Sequence, residues 1–179
     1  MSALRLPVNS DDHHLGNVNA AITLVEYGDF RCPYCRRAHP LVKRLLKEKG
    51  DELHFVFRNF PLTKIHPLAF PAAAAAEAAG KQNKFWEMHD MIFVNQNKLT
   101  NRFLLSSAET LGLEPVQFAR DLTSKEIKNK IEMDFESGIR SGVNGTPTFF
   151  LNGSPVVQYD ETYESLLDAF QSEKFSRVL

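Results

Sequence analysis

The sequence predicts an α/β domain with a central mixed sheet of about four strands and an α-helical insertion. Three observations point there. A β-branched run at 22–27, a helical period through 32–49 and a second apolar run at 53–58 follow one another within about 37 residues, the size of a right-handed strand–helix–strand unit. Residues 62–140 carry no strand signal. Two short β runs at 148–158 then lie close enough to pair as a hairpin ahead of a closing helix.

Residues 1–20 are polar, rich in Asn, Asp and His and without period, and read as an arm. ITLVEY (Ile22 to Tyr27) is a central strand that carries one acid, Glu26, and Gly28-Asp29 ends it. Leu41, Val42, Leu45 and Leu46 recur at helical spacing, Pro33 suits a first turn, Pro40 predicts a kink, and Gly50-Asp51 stops the helix. LHFVFR (Leu53 to Arg58) is the second strand. Beyond Pro61, HPLAFPAAAAAEAAG ends a helix at Gly80, and KFWEMHDMIF places Phe85, Met88, Met91 and Ile92 on one face. NRFLLSSAETLGL and PVQFARDL continue helically, and Ser124 to Ile139 is amphipathic on Ile127, Ile131, Phe135 and Ile139. TFFLNG (Thr148 to Gly153), a tight turn and PVVQY make the hairpin. Asp160 N-caps the last helix, whose buried face is Tyr163, Leu166, Leu167 and Phe170.

A length of 179 residues suits a single domain over 1–179, with its core at about 20–60 and 141–179 and the helical insert at about 62–140. Lys and Arg number 21 against 22 Asp and Glu, so a nucleic-acid or anionic-membrane partner gets no bulk electrostatic support. The longest apolar run, Leu68 to Ala76, is interrupted by Pro71 and is about half of what a bilayer crossing needs. No nucleic acid, no membrane and a monomer are expected. MSALRLPVNSDDHHLG has no apolar stretch of signal-peptide type, which predicts a cytoplasmic location, or a periplasmic one for a chain trimmed to its mature form.

Only two cysteines occur, and they must be explained locally. Cys32-Pro33-Tyr34-Cys35 puts two thiols on one face of a helix start, within disulfide reach. The first lies where unpaired backbone N–H groups stabilise a thiolate, which makes Cys32 the nucleophile; the more shielded Cys35 is the resolving thiol. Arg31, Arg36 and Arg37 flank the pair and should lower the pKa further. Half a metal site is the competing reading, yet no second C-x-x-C exists and the histidines are scattered, with His39 read as a helix-surface residue. No metal, nucleotide or organic cofactor is expected. Glu26, six residues before Cys32 on an apolar strand, either is buried with a raised pKa and exchanges protons with Cys35 through water, or points to solvent at a strand end. Thr146-Pro147 precedes the late β run, where cis and trans bonds both fit; a cis Pro147 would turn the Thr146 backbone toward the thiols, to pair with an extended substrate.

Taken together, EYGDFRCPYC (Glu26 to Cys35), RNFPL with the following HP (Arg58 to Leu62, His66-Pro67), KFWEMHD (Lys84 to Asp90) and VNGTPTFFLNG (Val143 to Gly153) resemble the DsbA-like branch of the thioredoxin superfamily. The resemblance covers about residue 20 to the end. It implies a thioredoxin-like fold with sheet order 53–58, 22–27, 148–151, 155–158, the first two strands parallel and the hairpin antiparallel. By the same likeness Cys32 and Cys35 are the redox pair, Glu26 the buried acid and Thr146-Pro147 the cis-proline loop. The implied activity is thiol–disulfide exchange on protein or peptide disulfides and dithiols, with glutathione as a further partner. A glutathione-linked transferase or isomerase of the same fold and a non-catalytic peptide-binding or chaperone module are the alternatives. Pro33-Tyr34 departs from the Pro-His pair of strongly oxidising members and resembles glutaredoxins, which implies a weaker oxidant.

Overall fold

The computed structural model describes residues 3–176. In chain order they form β1 (His13–Gly16), β2 (Ile22–Gly28), α1 (Pro33–Lys49), β3 (Leu53–Asn59), α2 (Ala69–Gly80), α3 (Phe85–Val94), a 3₁₀ turn (Gln96–Lys98), α4 (Asn101–Thr110), α5 (Pro115–Leu122), α6 (Lys125–Arg140), β4 (Thr148–Leu151), β5 (Ser154–Pro155) and α7 (Tyr163–Ser176). The sheet order is β1-β3-β2-β4-β5. β2 and β3 are parallel, from Ile22 opposite Leu53 to Gly28 opposite Asn59, and β4 runs antiparallel to β2 with Phe149 opposite Glu26. Among the described residues no helix is long and apolar enough to cross a membrane.

The expected four strands are present in the expected order, and a fifth joins them. β1 comes from the polar arm. His13-His14-Leu15-Gly16 has no apolar alternation; it becomes a strand because β3 offers a free edge, with His13 opposite Phe57. Side chains then fix it: His13 stacks on Phe85 at 3.4 Å, His14 Nδ1 lies 2.7 Å from His54 Nε2, and Trp86 Nε1 donates to the His14 carbonyl at 2.8 Å. Other boundaries shift as well. β5 is only two residues long: beyond Pro155 one further bond to β4, from the Val156 N–H to the Phe149 carbonyl at 2.9 Å, precedes the exposed Val157. The turn before it is built on positive φ at Asn152 (46°) and Gly153 (83°), the primed geometry that matches strand twist. Helix α7 starts at Tyr163 rather than at Asp160: the Thr162 hydroxyl accepts from the Ser165 N–H, while Asp160 accepts from Thr162 one step earlier. On α6, Ile139 is exposed and Gly138 faces the sheet in its place.

Strand alternation sorts the core into two faces. Ile22, Leu24, Phe55, Phe57 and Phe149 point toward α1, α3 and α7, while Val25, Tyr27, Val56 and Phe150 meet Phe60, Phe135 and Val143 on the other side. Glu26 shares the parity of Ile22 and Leu24, so the pleat delivers a carboxyl beneath α1. The second face also buries Arg58 completely. Its guanidinium binds both oxygens of Asp12 at 2.8 Å, the Leu6 and Pro7 carbonyls and the Tyr27 hydroxyl, so a planar cation clamps the N-terminal arm onto the sheet.

Gly138 is needed for this packing. A Cβ there would stand 2.7 Å from the Phe60 ring and 3.1 Å from Tyr27. Gly138→Val is expected to lower stability by about 1–3 kcal/mol through overpacking. A shift of the urea midpoint at constant slope measures it, and an unshifted midpoint refutes it.

Candidate active site

The first functional position follows from where β2 stops. After Gly28 the chain turns through Asp29–Arg31, and Cys32 becomes the N-cap of α1 in an extended conformation, with Pro33 where its missing N–H costs nothing. Both cysteines are free thiols; Cys32 keeps 4 % of its surface and Cys35 none. The hydrogen bond from the Cys35 thiol is the main cause that pulls the Cys32 pKa down to about 6. It acts against desolvation and is helped by Thr146 and the backbone N–H groups of Cys35 and Tyr34. Cys35 moves the other way: burial pushes it well above the usual thiol value, and so do its bond to Cys32 and the nearby Glu26 and Cys32 charges, while the Asp29 N–H at 3.4 Å opposes the shift. The pair is therefore asymmetric.

Glu26 is buried, which excludes the solvent-facing alternative. Desolvation first, and the Cys32 charge second, raise its pKa to about 8. The Thr146–Pro147 bond is cis. The Thr146 carbonyl accepts a hydrogen bond from Cys32 Sγ at 3.1 Å, so the loop before β4 stands over the nucleophile. All five residues expected at the site, Cys32, Cys35, Glu26, Thr146 and Pro147, thus gather around the start of α1.

The arginines do otherwise. Arg31 donates to the Gln96 carbonyl at 2.9 Å, Arg36 to Asn97 Oδ1 at 2.7 Å, and Arg37 to Glu161 at 2.8 Å while its guanidinium lies 4.5 Å over the Tyr34 ring. Hydrogen bonds from within the motif lower the Cys32 pKa, and the flanking cations are engaged elsewhere.

Two organising residues escaped the sequence reading. Asp29 is buried; its carboxylate accepts from the Arg31 N–H (2.7 Å), the Leu62 N–H (2.9 Å) and His66 Nδ1 (2.8 Å), fastening the active loop to the segment after β3. Gly28-Asp29 carries a signal in the sequence, but only as a strand stop. Gln96, 64 residues from Cys32, donates from Nε2 to the Phe30 (3.0 Å) and Cys32 (2.9 Å) carbonyls, and no local pattern announces it. His39 is also not a surface residue: its ring packs against Phe93, and its Nε2 meets Asp90 Oδ1 at 2.8 Å. His89 Nδ1 reaches the same oxygen at 3.1 Å and Lys43 Nζ the other at 2.5 Å. These His39, His89 and Asp90 atoms are within 4.8 Å of one another, and the Asp90 carboxylate among them is paired with the Lys43 ammonium.

A family model described as thioredoxin matches residues 8–170. A thioredoxin-like oxidoreductase from Silicibacter pomeroyi superposes with a TM-score of 0.80 at 28 % identity, over 93 % of this chain and 94 % of that one. BdbD from Bacillus subtilis, in its oxidised form, gives a TM-score of 0.82 at 23 % identity over 96 % and 97 %, a likeness of fold. In sequence, the chain is 46 % identical over 151 residues to a Salinispora arenicola protein named as the Na(+)/H(+) antiporter NhaA 1; the match takes in 84 % of this chain and 23 % of that protein. The chain spans about a quarter of the length of the curated relatives it matches.

Proposed function

The chain is a DsbA-like member of the thioredoxin superfamily, and on that footing we propose that it exchanges thiols and disulfides on protein or peptide substrates through Cys32 and Cys35, with glutathione resetting the pair. The observation that carries this is the asymmetry of the two thiols, one held near 6 at a helix N-cap and the other buried and held high. The Cys32 thiolate attacks one sulfur of a substrate disulfide, forming a mixed disulfide and expelling the other sulfur as a thiolate that solvent protonates. Cys35 then gives its proton to Glu26 and attacks Cys32 Sγ. The second substrate thiolate leaves, Cys32 and Cys35 end as a disulfide, and two electrons have passed to the substrate. Glutathione reverses the change at the pair. An extended substrate segment pairs with the Thr146 backbone by strand addition.

The segment between β3 and β4 supports the site through Gln96, which holds the Phe30 and Cys32 carbonyls on either side of Arg31. We assign residues 62–140 as an insert within one domain on this basis.

A Cys32 pKa of about 6 falls between the values of about 7 for thioredoxin and about 3.5 for the strongest oxidant of the superfamily. The potential should fall between theirs, in the glutaredoxin range of roughly -200 to -230 mV. Such a couple is kept mostly reduced by a cytosolic glutathione pool, which fits a cytoplasmic monomer acting as reductase or isomerase. The test has two parts. The protein is expected to accelerate exchange on a fluorogenic disulfide peptide in glutathione buffer, and no acceleration overturns the function. Equilibration with defined glutathione ratios, followed by counting alkylated thiols by mass, gives the potential; a value near about -120 mV overturns the weak-oxidant reading.

A further inference from the structure

The parallel strands β2 and β3 end side by side, Gly28 opposite Asn59, and Asp29 bridges the two exits. Its side chain is fully buried, and burying an anion is costly unless donors surround it. Three do: Oδ1 accepts from the Arg31 N–H, and Oδ2 accepts from the Leu62 N–H and from His66 Nδ1, 37 residues away. Leu62 and His66 are themselves joined, by the His66 N–H to the Leu62 carbonyl at 2.8 Å, so the carboxylate grips a closed turn. The single acceptor oxygen of an Asn could not take three such donors.

The main chain of the same residue faces both cysteines. Its carbonyl accepts from the Cys32 N–H at 3.0 Å, and its N–H donates to Cys35 Sγ at 3.4 Å. Burial pushes the Cys35 pKa up, as do the Cys32 bond and the Glu26 and Cys32 charges, and the Asp29 N–H pulls the other way. A thiol sulfur is a weak acceptor and a thiolate a strong one, so this bond strengthens as Cys35 ionises.

We propose that Asp29 is a catalytic residue of the resolving step through its main chain: the carboxylate, fastened by Arg31, Leu62 and His66, aims the Asp29 N–H at Cys35 Sγ to hold the thiolate that attacks Cys32. His66 is a positioning residue, since it acts through that carboxylate. The inference rests on Cys35 being the resolving thiol. In that step Cys35 gives its proton to Glu26 and its sulfur forms the S–S bond to Cys32 Sγ, while the bond from Cys32 to the substrate sulfur breaks and the substrate leaves as a thiolate. The Asp29 N–H keeps its proton throughout. Lowering the Cys35 pKa by one unit raises the thiolate fraction about tenfold and lowers nucleophilicity about threefold, a net gain of about threefold. Fixing the sulfur in line with Cys32 adds to that gain.

The experiment mixes reduced protein rapidly with excess aromatic disulfide, so that the first coloured thiol reports the Cys32 attack and the second reports the Cys35 attack. The N–H alone is removed by making the Gly28–Asp29 amide an ester, in a synthetic 1–31 segment ligated to a chain that begins at Cys32. The ester is expected to slow the second phase about tenfold relative to the first and to carry its pH profile upward by about one unit. The titratable groups that face Cys35, namely Cys32 on α1, Glu26 on β2 and Tyr159 beyond β5, are all retained, so the shift reports the N–H. His66→Ala should slow the second phase about threefold, and His66→Asn, whose amide N–H can stand where Nδ1 stood, should restore it. If the unaltered protein releases only the first coloured thiol, the reading of Cys35 falls and takes the inference with it. If it releases both, and the ester keeps the ratio of phases and the pH profile or slows both phases equally, the inference falls alone and Asp29 only holds the loop. Should the ester fail to fold, the His66 pair decides, and equal second-phase rates in His66→Ala and His66→Asn overturn the proposal.

Discussion

Cys32→Ser is expected to reduce disulfide exchange to the uncatalysed rate, because a hydroxyl cannot form the mixed disulfide. Cys35→Ser should attack substrate once and stop, so that a covalent adduct accumulates and is counted by mass. The two positions also differ in what they do to acidity. The hydrogen bond from Cys35 is the largest cause that lowers the Cys32 pKa to about 6. Cys35→Ala therefore moves the thiolate absorbance midpoint of Cys32 from about 6 toward the ordinary 9, whereas Cys35→Ser, which keeps an O–H donor, moves it less. Equal midpoints in the two variants would show that the helix start alone activates Cys32. Full turnover by Cys35→Ser would instead shift the function to a glutathione-linked transferase. Peptide binding that survives loss of both thiols, with no exchange in the intact protein, would shift it to a binding module.

Why the redox pair is legible in the sequence and its support is not comes down to range. C-x-x-C after a strand and before a helical period fixes the N-cap position of Cys32 by local rules alone, and period-2 alternation through Leu24 and Glu26 puts the carboxyl on the helix side. Thr146-Pro147 ahead of β4 marks a loop, but only three-dimensional context selects its isomer. Gln96 and Asp29 act by hydrogen bonds to groups 33 to 66 residues away, and such bonds leave no period or motif. β1 is similar: His13–Gly16 is a strand because β3 has an unpaired edge. The arginines show the reverse error. Proximity in sequence to Cys32 suggested proximity of charge, yet long flexible side chains reach partners on the 3₁₀ turn and at Glu161. Charge arguments from sequence work for short side chains and fail for long ones.

Glu26→Gln is expected to slow the second, Cys35-dependent step by roughly 10²–10⁴-fold near neutral pH, the usual range for losing a general base. Burial first and the Cys32 charge second hold the acid at about 8, so in the resting dithiol it is mostly protonated at pH 7. Once Cys32 enters the mixed disulfide that charge is gone and the Glu26 pKa falls, although burial, the larger cause, stays, so the shift favours the anion at the moment Cys35 must lose its proton. The same variant should gain stability. Glu26 has a folded pKa raised from 4.5 to about 8, so its contribution is intact below pH 4.5 and is lost as pH rises through 8. At pH 7 the loss spans about 2.5 pH units at about 1.4 kcal/mol each, about 3.5 kcal/mol, which Gln does not suffer. Cys32 acts with opposite sign, since its pKa is depressed from 9.0 to about 6 and its thiolate adds stability as pH rises between those values. His89, whose pKa burial lowers from 6.5 to about 4, adds stability as pH rises between those values and offsets the Glu26 loss there. The signal is therefore the difference between the two proteins: relative to Glu26→Gln, reduced wild-type protein should lose stability steadily from pH 4.5 to about 8. Urea unfolding of both reduced proteins across this range measures the difference, and parallel curves would return Glu26 to a purely structural part of the strand.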